Sequence, residues 1–184
     1  MDRFAPALRE AGVALYAPHY FDKTATERAT REMILDGRHF MLWLKAIEDA
    51  VSYVASRPNV DPQRIGVLGI SLGGYLAIAL GIEDKRIRAI VELSGGIPLG
   101  WEHRLTSAMP PTLVLHGAAD DVVPVEEAHK LQALLEDRRV VHEVEIFAEQ
   151  THWFAGAGRM ELLTRSAAFL DRYLFAETPL ERAS

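Results

Sequence analysis

An apolar run, Ile65-Gly66-Val67-Leu68, leads through Gly69-Ile70-Ser71-Leu72-Gly73-Gly74 into a helix-compatible run, Tyr75-Leu76-Ala77-Ile78-Ala79-Leu80. Strand, tight turn and helix in that order is the setting in which G-x-S-x-G marks a nucleophile elbow. The turn puts Ser71 in a strained, crowded conformation. Gly69 and Gly73 flank it because a Cβ at either place is expected to collide with the neighbouring strand or helix. The Leu72 N–H then points from the start of the next helix to where a developing oxyanion would be stabilised. The competing reading is a glycine-rich turn with an incidental serine.

The same alternation runs along the whole chain. Gly12-Val13-Ala14-Leu15-Tyr16-Ala17 reads as a strand ended by Pro18. Phe40, Leu44, Ile47, Val51 and Val54 recur at helical spacing, which predicts a helix over 39–56. Asn59-Val60-Asp61-Pro62 is turn chemistry. Further strands are expected at 64–68, 87–93, 112–116 and 143–147, the fourth of these five strands apolar throughout, as strands buried on both faces are. Helices are expected from Ser71 to Leu80, from Pro124 to Asp137 and over 159–175. This alternation implies an α/β fold with a mostly parallel central sheet flanked by helices. No repeat, low-complexity tract or linker interrupts it, so a single domain over 1–184 is expected, in keeping with the length.

Composition narrows the chemistry. With 20 basic and 26 acidic residues the formal net charge is −6, and no Lys/Arg cluster offers a nucleic-acid or anionic-membrane surface. The absence of cysteine excludes disulfides, thiolate metal sites and a thiol nucleophile. No signal-peptide pattern and no apolar run of about 20 residues is present, so the expected location is cytoplasmic. The histidines lack H-E-x-x-H or similar spacing, and neither a metal nor a cofactor is expected.

A serine at neutral pH needs an adjacent base, and that base needs an orienting acid. In open α/β sheets such groups gather beyond the C-terminal ends of strands. The run His116-Gly117-Ala118-Ala119-Asp120-Asp121 follows the fourth expected strand, and Thr151-His152-Trp153-Phe154 follows the fifth. The order Ser71, Asp120 or Asp121, His152 is that of an α/β-hydrolase triad. Each member also has a plain alternative: the two aspartates as helix caps, His152 as a loop histidine packed on Trp153, His116 as a strand end bonded to backbone. Asp120 is preferred as the acid, with Asp121 as a capping or supporting group. The roles follow: Ser71 attacks an acyl carbonyl, His152 relays its proton, Asp120 orients the imidazole, and Leu72 N–H serves the oxyanion hole.

These stretches resemble the α/β-hydrolase superfamily, and within it the dienelactone hydrolase-like branch. The resemblance runs from Phe4-Ala5-Pro6-Ala7-Leu8 through Tyr16-Ala17-Pro18 and Asp61-Pro62-Gln63-Arg64-Ile65 to the elbow. It continues through Ile90-Val91-Glu92-Leu93-Ser94-Gly95-Gly96, His116-Gly117-Ala118-Ala119-Asp120 and Thr151-His152. In the family pattern H-G-x-x-D ends on the catalytic acid, which favours Asp120. The namesake enzymes carry a cysteine nucleophile where this chain has Ser71, which implies a broader serine esterase. Members also carry two or three strands before the helix that here begins near Asp2, and the last of them ends in the loop that donates the second oxyanion N–H. That strand would lie between 12–17 and 64–69. Three arrangements answer its absence: direct pairing of the flanking strands, pairing supplied by a partner chain, or a shortened form of a longer protein. The third is favoured, and a homodimer that repairs the open edge is the runner-up.

The leading functional expectation is therefore a serine hydrolase of small carboxylic esters or lactones. A thioesterase or small peptidase of the same fold is the nearest alternative, because pocket shape selects the leaving group. A non-catalytic binding protein on a hydrolase fold is the alternative from another class. No long insertion supplies a lid; Ile97 to Arg104 is the one candidate flap. His19, Tyr20, Trp101, Trp153 and Phe154 are candidates to line the substrate pocket, with ordinary aromatic packing as their plain alternative. His103 and His129 read as surface residues.

Overall fold

Four strands, β1 (Ile65–Ile70), β2 (Ile87–Leu93), β3 (Thr112–Gly117) and β4 (His142–Phe147), form one sheet in the order β1-β2-β3-β4. Every pair is parallel. The computed structural model describes residues 12–175, whose contacts divide into two compact units, 12–62 and 63–175.

The second unit is the sheet and its helices. β1 passes through the elbow into α3 (Leu72–Glu83), α4 (Glu126–Asp137) joins β3 to β4, and α5 (Gly156–Leu174) closes the chain. Successive strands step across the sheet in one direction, and right-handed crossovers therefore put α3 and α4 on one face. α5 covers the other. Its Leu162 and Phe169 pack with Phe154 on Ala89, Val91 and Leu93 of β2 and Leu113 and Leu115 of β3. Side chains alternate along a strand, so Ile90 and Glu92 of β2 face α3 and α4 instead. β2 and β3 are buried almost throughout, as the apolar runs 87–93 and 112–116 require. α3 is buried at Gly74 and from Leu76 to Gly81, which explains why its sequence shows no amphipathic stripe.

The first unit holds a 3₁₀ turn, Tyr20–Thr24, and the helices α1 (Arg31–Leu35) and α2 (Arg38–Ala55). α2 buries Phe40, Leu44, Ile47 and Val51 as the spacing predicts, and Trp43 with them, whereas Val54, the last position of that spacing, is only partly buried near the helix end. The Trp43 indole N–H donates to Thr24 Oγ1 at 2.7 Å, tying the 3₁₀ turn to the helix.

The expected strand at 12–17 is not found. Residues 13–19 belong to no regular element, and Leu15 and Tyr16 are exposed. A strand exists only where a neighbour accepts its ladder, and the described residues give this segment none. Among the described residues β1 is an edge of the sheet, with Leu68 and Ile70 exposed on it. The expected first helix, near Asp2, lies outside the described residues.

Candidate active site

Ser71 adopts φ 56° and ψ −121° at the end of β1. Such a conformation costs an L-residue on the order of 1–3 kcal/mol and persists only where its surroundings hold it. Three hydrogen bonds do so. Ser71 N–H donates to the Leu93 carbonyl at 2.8 Å, and the Ser71 carbonyl accepts from the N–H groups of Gly74 and Tyr75 at 2.8 and 3.3 Å. A Cβ on Gly69 would lie 1.9 Å from the Gly73 carbonyl oxygen, so position 69 must be glycine. Gly73 corrects the expectation from sequence: a Cβ there meets nothing within 4 Å. The crowding is one-sided, because the Gly73 backbone crosses over Gly69 while its own α-carbon faces open space. Leu72 begins α3, and its N–H is among the first-turn donors that a helix leaves without an internal acceptor.

Asp120 sits in the loop beyond β3. Its Oδ1 accepts from the N–H groups of Val122 and Val123 at 2.9 and 2.8 Å, and its Oδ2 lies 2.8 Å from His152 Nδ1. Both side chains are buried. Gly117 lets the two loops meet, since a Cβ on it would stand 2.2 Å from the Gln150 carbonyl oxygen. Across that contact, Ala118 N–H donates to the Phe147 carbonyl at 2.9 Å and Ala119 N–H to the Gln150 carbonyl at 3.0 Å. Gln150 Oε1 accepts the Ala155 N–H at 3.0 Å, which fixes the approach to α5 and so the loop that carries His152.

Burial pushes the Asp120 carboxyl up, but the Val123 amide, the His152 ring and the Val122 amide outweigh it and hold it below the ordinary carboxylate value. An ionised carboxylate only accepts, so His152 Nδ1 is the donor in this contact, and the neutral tautomer it selects is the one with the lone pair on Nε2. Asp121 is exposed and caps nothing: the residue before α4 is Val125, with no side-chain bond. His116 is buried and bonds to backbone as expected, its Nε2 2.9 Å from the Val123 carbonyl oxygen and 3.3 Å from Asp120 Oδ2. The structure thus joins two of the three expected triad residues. Among the described residues no hydrogen bond links Ser71 Oγ to His152; the serine stands beyond β1 on the same sheet edge.

The candidate pocket residues separate. Trp153 is 70% exposed with its ring edge-on to His152, centroids 4.8 Å apart, and offers an apolar surface beside the imidazole. Phe154 turns the other way into the core against Phe147, so it lines no pocket. Trp101, in the expected flap, is half-buried under the Arg104 guanidinium at 4.2 Å. His19 and Tyr20 belong to the first unit, where Tyr20 packs on Phe21 and Trp43. His103 and His129 are exposed. Among the described residues no group of three or more His, Asp or Glu is placed to hold a metal ion, and no helix is long and apolar enough to cross a membrane.

Sequence reasoning passed over Glu92. It is a fully buried acid on β2, and neither carboxyl oxygen has a hydrogen-bond partner. Burial pushes its pKa up to about 8. The signal was available: one acidic residue inside Ile90-Val91-Glu92-Leu93, a run otherwise apolar.

Comparison with known proteins gives concordant relatives. The model of the dienelactone hydrolase family matches residues 3–171, which span both units. The uncharacterized YfhR protein of Salmonella typhi is 33% identical over 122 residues, covering 50% of this chain and 42% of that protein. Acyl-coenzyme A thioesterase 3 of Mus musculus is 42% identical over 57 residues, covering 31% of this chain and 13% of that one. The chain therefore spans less than half the length of either relative. Among solved structures, esterase PE8 superposes with a TM-score of 0.65 at 25% identity, covering 80% of this chain and 67% of the other.

Proposed function

Because this chain belongs to the dienelactone hydrolase family, we propose that it is a serine hydrolase cleaving small carboxylic esters or lactones through an acyl-enzyme on Ser71. The observation that carries this reading is the buried His152–Asp120 pair at 2.8 Å, on the sheet edge where the strained elbow presents Ser71. Ser71 Oγ attacks the acyl carbonyl carbon while its proton passes to His152 Nε2. Asp120 stabilises the imidazolium, and Leu72 N–H donates to the oxyanion. As the tetrahedral intermediate collapses, the C–O bond breaks and His152 returns the proton to the leaving alkoxide. Water then attacks the acyl-enzyme, giving its proton to His152, and Ser71 leaves with that proton as the acid departs. Trp153 supplies the apolar wall beside the imidazole.

A thioester substrate is the second reading, favoured by the similarity to an acyl-coenzyme A thioesterase. The steps are the same with a thiolate leaving group. p-Nitrophenyl acetate turnover and fluorophosphonate labelling test the proposal. Wild type is expected to release p-nitrophenol and to be labelled on Ser71, and Ser71→Ala is expected to lose both, with kcat down at least about 10³-fold. Folded wild-type protein that does neither overturns the enzyme reading, and labelling that survives in Ser71→Ala places the nucleophile elsewhere.

A further inference from the structure

We propose that Glu92, wedged against the backbone of the elbow from the α3 side of the sheet, is a positioning residue for Ser71 and the Leu72 N–H. This rests on the hydrolase reading above. The geometry is specific. A Cβ on Gly74, in the first turn of α3, would lie 2.6 Å from Glu92 Oε1. A Cβ on Gly95, just beyond β2, would also lie 2.6 Å from that oxygen, and 2.9 Å from the Ser71 carbonyl oxygen and 3.1 Å from the Tyr75 nitrogen. The carboxyl therefore occupies the space between two bare backbones, next to the group that closes the first turn of the elbow. β2 reaches the elbow from its other end too, through Leu93, whose carbonyl accepts the Ser71 N–H. Ser94, the next residue, is itself buried at φ 51°. The end of β2 thus holds the elbow through Leu93 and carries a second positive-φ serine, while the Glu92 carboxyl packs between the Gly74 and Gly95 backbones.

The protonation state of Glu92 decides what that contact does. As a neutral acid the carboxyl fills the space and carries no charge. Ionised, it would place a buried negative charge beneath the position where the oxyanion develops, and repulsion there is poorly screened. The groups facing it offer no compensation. From α3 comes Tyr75, whose phenol is pushed up by burial and then by the charges of Glu127, Glu92 and Asp120. Glu127 of α4 and Asp120 of the loop after β3 are further acids whose charges reach the same Tyr75 phenol, and His116 of β3 lies on the same face of the sheet as Glu92 by strand alternation and register. The Gly95 N–H approaches the carboxyl and offsets only part of its upward shift, without reaching hydrogen-bond geometry.

The experiment follows the elbow directly and through turnover. In wild-type protein the backbone amide resonances of Leu72, Gly73 and Gly74 are expected to shift with a common midpoint between about pH 7 and 9. In Glu92→Gln, which keeps the shape and cannot ionise, that titration is expected to vanish while shifts caused by the histidines remain. The kcat of wild type on p-nitrophenyl acetate is expected to fall about tenfold from pH 7.5 to 9.5, while that of Glu92→Gln stays level. Glu92→Ala, which empties the space, is expected to lose at least about tenfold in kcat at pH 7.5 with KM within about twofold. Amide shifts that titrate identically in wild type and Glu92→Gln, or that do not titrate in wild type, overturn the inference whether or not the protein is an esterase and whether or not Glu92→Ala folds. Loss of Ser71-dependent turnover with the amide titration intact overturns the hydrolase reading instead.

Discussion

At the scale of single residues, the two acids near the elbow respond to pH in opposite senses. Asp120 has a folded-state pKa below its ordinary value. Its contribution to stability is therefore complete above about pH 4 and is lost as pH falls through the folded pKa. Glu92 is the reverse. The unfolded chain ionises this group near pH 4.3, whereas the folded chain keeps its proton to about 8. Between those values the folded state binds the extra proton, and stability falls by up to about 1.4 kcal/mol per pH unit. Thermal melts of Glu92→Gln against wild type are expected to show the variant gaining relative stability from pH 5 to pH 8; parallel curves would mean that Glu92 ionises freely. Asp120→Asn is expected to leave the loop folded, because Oδ1 still accepts from Val122 and Val123. Its kcat is expected to fall by about 10³–10⁴, because the amide no longer fixes the imidazole tautomer. Residue type and order were enough to single out Ser71, Asp120 and His152 as candidates, and the structure pairs the last two. Glu92 was not singled out, because a lone acid in a strand gives no sign of which face it turns to.

At the scale of elements, the elbow depends on how strand and helix cross. Gly69 and Gly73 are symmetric in the G-x-S-x-G pattern and unequal in space. Gly69→Ala must push the Gly73 backbone aside, and is expected to cost about 1–3 kcal/mol and to abolish fluorophosphonate labelling. Gly73→Ala has room, and is expected to leave the melting temperature within about 1 °C and labelling intact. Equal effects of the two substitutions on melting and labelling would contradict this geometry. Helices read well where one face is apolar, as in α2 with Phe40, Leu44, Ile47 and Val51. The segment 12–17 is equally apolar and forms no strand. Helical hydrogen bonds are internal to the segment, whereas a strand's are made by whatever lies beside it.

At the scale of the whole molecule, protection from exchange should follow burial. β2 and β3 sit inside the sheet with almost every residue buried, whereas β1 and β4 are edges and the first unit buries few side chains. Hydrogen exchange is expected to be slowest in 87–93 and 112–117 and faster in 12–62; the opposite order would relocate the stable core. The sequence by itself determined the α/β class, four of the strands, the main helices and the order Ser71, Asp120, His152, because periodicity and turn chemistry are written in neighbouring residues. Only the tertiary structure decided that Asp120 rather than Asp121 meets His152, that Gly117 makes room for that meeting, that Phe154 belongs to the core, and that Glu92 lies under the elbow without a partner. Each of these depends on which distant backbone passes within a few ångströms, and no local pattern encodes that distance.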